Sequence, residues 1–182
     1  TAATGATTVL VVTDPFLAAS PVVALVRSSL EQAGLAVTVY GGVTPNPTTT
    51  CVDEGSDLAT TIGAGAIVAV GGGSSMDAAK GISLGAVNPQ RGIGLDYTST
   101  FDHPALPIIA IPTTAGTGAE VNAFGVITDV QSHRKFYVGH ESALARAAIL
   151  DPDLTVGLPA SATAATGMDA LTHALESYLS MR

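Results

Sequence analysis

Apolar residues along this chain fall into two alternating rhythms. Thr7-Thr-Val-Leu-Val-Val-Thr13 is a continuous, β-branched run, the pattern of a strand covered on both faces. Residues 21–33 place Val22, Leu25, Val26 and Leu30 at helical spacing, with Gly34 positioned to end the helix. Leu35 to Tyr40 predicts a second strand, stopped by Gly41-Gly42, and a helix over 49–62 follows the Pro45-Asn46-Pro47 turn. Ala66 to Val70 predicts a third strand that runs straight into three glycines. Ser74 to Leu84 predicts the next helix, and Leu106 to Ile111 a fourth buried strand.

Strands and helices in this order imply parallel strands joined by right-handed crossovers, a doubly wound, mainly parallel, Rossmann-like α/β sheet. Residues 86–105 form a connection rich in Gly, Pro, Asp and Thr, long enough to suggest a functional or mobile segment. Residues 125–140 resemble a hairpin, Val126 to Asp129 against Lys135 to Val138, and Ala147 to Leu150 a short strand. From about Ser161 a long helix runs to the end with no Gly or Pro stop, so a longer polypeptide is expected.

Composition narrows the function. The chain has 182 residues, 47% hydrophobic and 12% charged, with a formal net charge of −8. Seven Lys and Arg residues that never cluster argue against nucleic acid and anionic membranes as partners. No run reaches the roughly 18–20 apolar residues of a membrane span. No basic signal-type segment opens the chain. The single cysteine, Cys51, excludes an internal disulfide and a cysteine-based zinc knuckle, and points to a reducing, cytoplasmic setting.

Candidate chemistry gathers at strand ends. Gly71-Gly72-Gly73-Ser74-Ser75-Met76-Asp77 lies between a buried strand and a helix. Glycines there let backbone approach a ligand, and the helix start offers free N–H groups to an anion, with Ser74 or Ser75 able to cap it. The segment reads as a phosphate cradle, or as a tight turn without a ligand; it is not the G-x-G-x-x-G fingerprint. Asp14, after the first strand, is placed to accept from ribose hydroxyls or to initiate the turn at Pro15. Thr113, Thr114 and Thr117, after the fourth strand, either line a nucleotide or cap the next segment. Asp169 and His173 stand one turn apart on one helical face, spacing that suits two ligands of one metal ion or an ordinary i,i+4 pair. Met168, Leu171, Leu175 and Tyr178 form the adjoining apolar stripe. His103, His133 and His140 fall in polar loop or hairpin contexts and read as solvated.

Four segments, Ala69 to Lys80, Ile111 to Glu120, Val126 to Asp129 and Ala164 to Ala174, together resemble the iron-containing (group III) alcohol dehydrogenases, over about Thr7 to Ser180. The resemblance implies that residues 1–158 are a dinucleotide-binding domain and that 159–182 begin a helical metal-binding domain. It implies NAD as cofactor, with Gly72, Gly73, Ser74, Ser75, Met76 and Asp77 at the pyrophosphate. Thr113, Thr114 and Thr117 would lie toward the nicotinamide, with Asn46 and Lys135 also at the cofactor. It places Asp14 at the adenosine ribose, where a carboxylate favours NAD over NADP because it repels a 2′-phosphate. Asp169 and His173 would be catalytic, as two ligands of iron or zinc acting as a Lewis acid on a small alcohol or aldehyde, with further histidines from the following helical domain. Ala119 stands where the family often has Ser. A homo-oligomer, or pairing with that helical domain, is expected. The alternatives are a glycerol-dehydrogenase-like or dehydroquinate-synthase-like relative on the same scaffold, and a non-catalytic nucleotide-binding module.

Overall fold

The computed structural model describes residues 5–181. Five parallel strands form the main sheet: β1 (Thr8–Val12), β2 (Ala36–Tyr40), β3 (Ala66–Gly71), β4 (Ile108–Pro112) and, after the hairpin strands β5 (Phe124–Thr128) and β6 (Lys135–Gly139), the short β7 (Ala147–Ala148). Their order is β2-β1-β3-β4-β7. The chain leaves β1 toward one edge and passes from β2 to the other side of β1, so the strand order reverses between β1 and β3. At such a switch point the loops diverge and leave a crevice beyond the carboxyl ends of the strands.

The helices are α1 (Pro15–Ala18), α2 (Pro21–Gln32), α3 (Thr49–Thr61), α4 (Gly73–Gly85) and α5 (Ala160–Leu179). Strand side chains alternate between the two sheet faces, and each set has its own core. Leu10, Val12, Ile67, Ala69, Ile108 and Ala110 pack on the face covered by α3 and α4. Val9, Val11, Val68, Val70 and Ile111 pack on the other face, against Val23 of α2 and Leu154. Double coverage explains why these strands read as unbroken apolar runs rather than alternating ones.

Two features depart from the sequence reading. A one-turn helix, α1, follows β1 directly, because Asp14 accepts from the N–H groups of Phe16 and Leu17, both at 2.9 Å, ahead of Pro15 at the first helical position. The 86–105 connection is tied down. Arg91 donates to the carbonyls of Gly85, Asn88 and Gln90, Asn88 bridges Leu84 and His103, and a 3-10 turn at Gly92–Leu95 buries Leu95. β5 and β6 form the expected antiparallel hairpin, pairing Phe124 with Gly139 through Thr128 with Lys135. Among the described residues no helix is long and apolar enough to cross a membrane.

Candidate functional site

The glycine segment turns from the carboxyl end of β3 into α4 at the switch point. Its N-cap is Gly72, which has no side chain to occupy the first N–H groups; Ser74 and Ser75 lie inside the helix and cap nothing. That corrects the capping expected of the serines. The helix start is left open to an anion, where the dipole favours negative charge. Close packing explains the glycines. A Cβ on Gly72 would lie 3.1 Å from Thr114 Cγ2, and one on Gly73 3.2 Å from Thr117 Cγ2. Met76, expected with this group, is 3% exposed and packs into the core beneath the loop rather than lining it.

Two clefts meet over this turn. The first, about 1120 Å³, runs from Asp14 and Phe16 over Gly72 and Ser75 to Thr113 and Thr114. The second, about 910 Å³, is lined by Asn46, Lys135, Asp77, Tyr97, Asp169 and His173 among others. Gly73, Ser74 and Thr117 line both. The structure therefore brings together every sequence-predicted site residue except Met76 into one continuous depression. Thr114 Oγ1 is buried within the first cleft and has no hydrogen-bond partner among the described residues. An unpaired buried hydroxyl is costly and marks a place where a ligand can supply the partner.

Long-range ties shape the second cleft. Asn46, at positive φ in its turn, accepts from Lys135 Nζ at 2.7 Å, joining segments 89 residues apart. Asp77 Oδ2 accepts from Val126 N at 3.0 Å, fixing α4 to β5. Burial raises the Asp77 carboxyl above its ordinary pKa, against the Val126 N–H and the Lys80 charge that lower it. Gly116, at φ 143°, sits where any Cβ would overlap the Thr166 carbonyl, so the threonine loop seats directly on α5. This contact brings Asp169 and His173 to the cleft. Their Oδ1 and Nε2 atoms lie 3.9 Å apart, with His173 53% and Asp169 43% exposed.

The rest of α5 does not bury its apolar stripe. Met168, Leu171, Leu175 and Tyr178 are 60%, 50%, 53% and 88% exposed. Among the described residues no group of three or more His, Cys, Asp or Glu converges as a metal site. His103, His133 and His140 are all exposed, and His140 caps the 3-10 turn at Glu141–Ala143. Lys80, which the sequence reading passed over, is buried beside Asp77. The lone charge in the helix beyond Asp77 is its signal.

A switch-point crevice with an open helix start, and a carboxylate–imidazole pair at its far end, defines a doubly wound α/β class with a ligand crevice at its sheet edge. Known proteins narrow it. The model of the iron-containing alcohol dehydrogenases matches residues 1–152, and the chain belongs to that family. It is 44% identical to lactaldehyde reductase of Escherichia coli K12 over 172 residues, 93% of this chain and 45% of that protein. It is 42% identical to the NAD-dependent methanol dehydrogenase of Bacillus methanolicus over 175 residues, 96% of this chain and 46% of that one. A crystal structure of 1,3-propanediol oxidoreductase superposes with a TM-score of 0.93 at 39% identity, covering 99% of this chain and 47% of that one. The chain thus spans less than half the length of these relatives.

Proposed function

We propose that this chain supplies the cofactor-binding part, and two metal ligands, of an NAD-dependent oxidoreductase that interconverts a small alcohol and its aldehyde or ketone. One observation carries the reading: two clefts meet at Gly73, Ser74 and Thr117, with Asp14 lining one and the Asp169–His173 pair the other. A molecule with two nucleoside-sized ends joined by a pyrophosphate fits that form. The glycine cradle, the open helix start and the orphaned Thr114 hydroxyl suit its centre.

Asp14 has committed Oδ1 to two backbone N–H groups, which fixes the carboxylate. Oδ2 remains to accept from ribose hydroxyls, and the charge disfavours a 2′-phosphate. The N–H groups of Gly73 and Ser74 hold the pyrophosphate without a bulky cap in the way. Lys135, oriented by Asn46, and Thr117 position the nicotinamide end. Asp169 and His173 supply one carboxylate oxygen and one imidazole nitrogen, a donor set that suits iron and equally zinc. Bound there, iron supplies Lewis acidity toward an alcohol oxygen, while the nicotinamide supplies the hydride acceptor.

Residues 1–158 are proposed as the dinucleotide-binding domain and 159–182 as the opening of a helical, metal-binding one. The exposed stripe on α5 supports a covering helical unit or a second copy of the chain as partner. The reducing cytoplasm is the proposed setting, consistent with a single buried cysteine. The test is turnover of a primary alcohol by the full-length protein with NAD and added iron. NAD reduction is expected. NAD binding without turnover favours a non-catalytic module, and no NAD binding overturns the reading.

A further inference from the structure

Lys80 is the most deeply buried charged side chain among the described residues, at 3% exposure. It lies in α4 two turns beyond the glycine segment, and it does not line either cleft. Its Nζ donates to Asn122 Oδ1 at 2.8 Å and to the Phe124 carbonyl at 2.5 Å, with Asp77 Oδ1 at 3.8 Å. Asn122 extends the tie in both directions: its Oδ1 accepts from Phe124 N at 3.0 Å, and its Nδ2 donates to the Gly118 carbonyl at 3.2 Å. Asp77 adds the bond to Val126 N, and a Cβ on Gly125 would lie 2.9 Å from Asp77 Cα. The segment from Gly118 to Val126 is therefore fastened to α4 at Asn122, Phe124 and Val126. Those three residues form part of the wall of the cleft that Asp169 and His173 also line.

We propose that Lys80 is a positioning residue that, by holding Asn122 and Phe124 to α4, sets the wall of the second cleft against which the alcohol and the reacting end of the cofactor are aligned. The inference rests on the oxidoreductase reading above. A role in core packing alone does not account for this lysine. Removing an ammonium from water is expensive, and an apolar side chain of similar length fills the same space without that desolvation cost. Desolvation lowers its pKa to about 8, against the opposing charges of Asp77 on α4 and Glu120 in the 3-10 turn at Ala119–Val121. Nor is it placed to carry a proton: its nitrogen is spent on two acceptors and stays out of the cleft. What it supplies is geometry, delivered by two charge-assisted bonds to residues of the cleft wall.

The experiment uses the full-length protein with iron and NAD, 1-propanol as the alcohol and ADP as a probe of the first cleft alone. Lys80→Met, Asn122→Ala and the double variant are compared with wild type for melting temperature, ADP affinity, and kcat and KM. The expected outcome is a folded Lys80→Met variant whose ADP affinity stays within about twofold of wild type. Its kcat/KM should fall at least about tenfold, since misplacement by about 1 Å costs up to ~10²-fold. The double variant should be no worse than the worse single one, because both changes cut the same tie. Wild-type kcat/KM in Lys80→Met overturns the inference. So does a parallel loss of ADP binding and turnover that tracks the melting temperature, which would mean general destabilisation. If Lys80→Met fails to fold, Asn122→Ala decides alone: unchanged turnover there is equally fatal. A wild-type protein that neither binds NAD nor oxidises 1-propanol removes the oxidoreductase reading, and this inference with it. An active wild type with an unaffected Lys80→Met removes this inference only.

Discussion

The start of α4 and the middle of α5 face the same depression but are built in opposite ways. At α4 the site is made of backbone. Gly72 and Gly73 bring the chain close to Thr114 and Thr117, and the helix behind is buried from Ser75 to Gly85 except at Asp77. At α5 the site is made of two side chains on a helix with no buried residue, seated by the contact between Gly116 and Thr166. A cradle of N–H groups is complete within one turn of chain. A metal centre needs donors from several directions, and a single helical face gives two. The two regions should therefore fail independently, and in different assays.

The largest effect is expected at α5. His173→Ala should abolish iron retention and alcohol oxidation in the full-length protein while leaving NAD affinity within about twofold. Elemental analysis after gel filtration, with calorimetric titration of NAD, checks both. Loss of NAD binding together with iron would show that the two regions are one site and dissolve the comparison. Next comes Gly73→Val, which drives a branched side chain toward Thr117 and the proposed pyrophosphate path. NAD affinity should fall by at least ~100-fold, about 2.7 kcal/mol, with circular dichroism unchanged and iron content preserved. Unaltered affinity would take the glycine turn out of the site.

A smaller effect is a pH dependence that belongs to α4 alone. The Lys80 ammonium has a pKa of about 8 when folded and 10.5 as its ordinary value. Between those values the unfolded chain holds a proton that the folded chain has released. Unfolding then takes up a proton, and the Lys80 contribution to stability rises with pH across that window, by on the order of 2 kcal/mol. Burial pushes the Tyr40 hydroxyl and the Cys51 thiol up, which works in the opposite direction at alkaline pH. The difference in urea midpoint between wild type and Lys80→Met, followed from pH 7.5 to 10 (about that span), isolates the lysine. The stability of Lys80→Met relative to wild type should fall as pH rises; a pH-independent difference contradicts the assignment. The smallest effect is at the far end of the first cleft. Asp14→Gly should weaken NAD and relax discrimination against NADP by roughly tenfold, about 1.4 kcal/mol, part of it through the lost α1 cap. An unchanged NAD-to-NADP ratio of affinities would leave Asp14 as a cap and nothing more.

What was legible in the sequence follows the same division. Buried parallel strands announce themselves because both faces are covered, so β1, β3 and β4 appear as apolar runs, and a strand running into Gly71-Gly72-Gly73 marks a candidate cradle or a tight turn at the carboxyl edge of the sheet. The cap was misplaced because serine is a strong capping residue in general. Here the backbone enters the helix earlier, at Gly72, and that is what keeps the N–H groups open. The α1 turn escaped notice because four residues carry no periodicity; only the Asp14-Pro15 pair hints at it. Met76 sits within the motif but on the inward side of α4, a distinction that needs the helix phase rather than the motif. The ties from Lys135 to Asn46, Gly116 to Thr166 and Lys80 to Asn122 link segments far apart in the chain, and no local spacing encodes them.

On the proposed function, one extended dinucleotide crosses from Asp14, over Gly73, to the cleft lined by Asp169 and His173. A crystal structure of the full-length protein with NAD and iron measures this directly. Adenosine ribose is expected at Asp14, pyrophosphate on the N–H groups of Gly73 and Ser74, and the nicotinamide in the cleft of Lys135, Asp169 and His173. A pyrophosphate bound elsewhere, or a dinucleotide lying in the reverse direction, would contradict it.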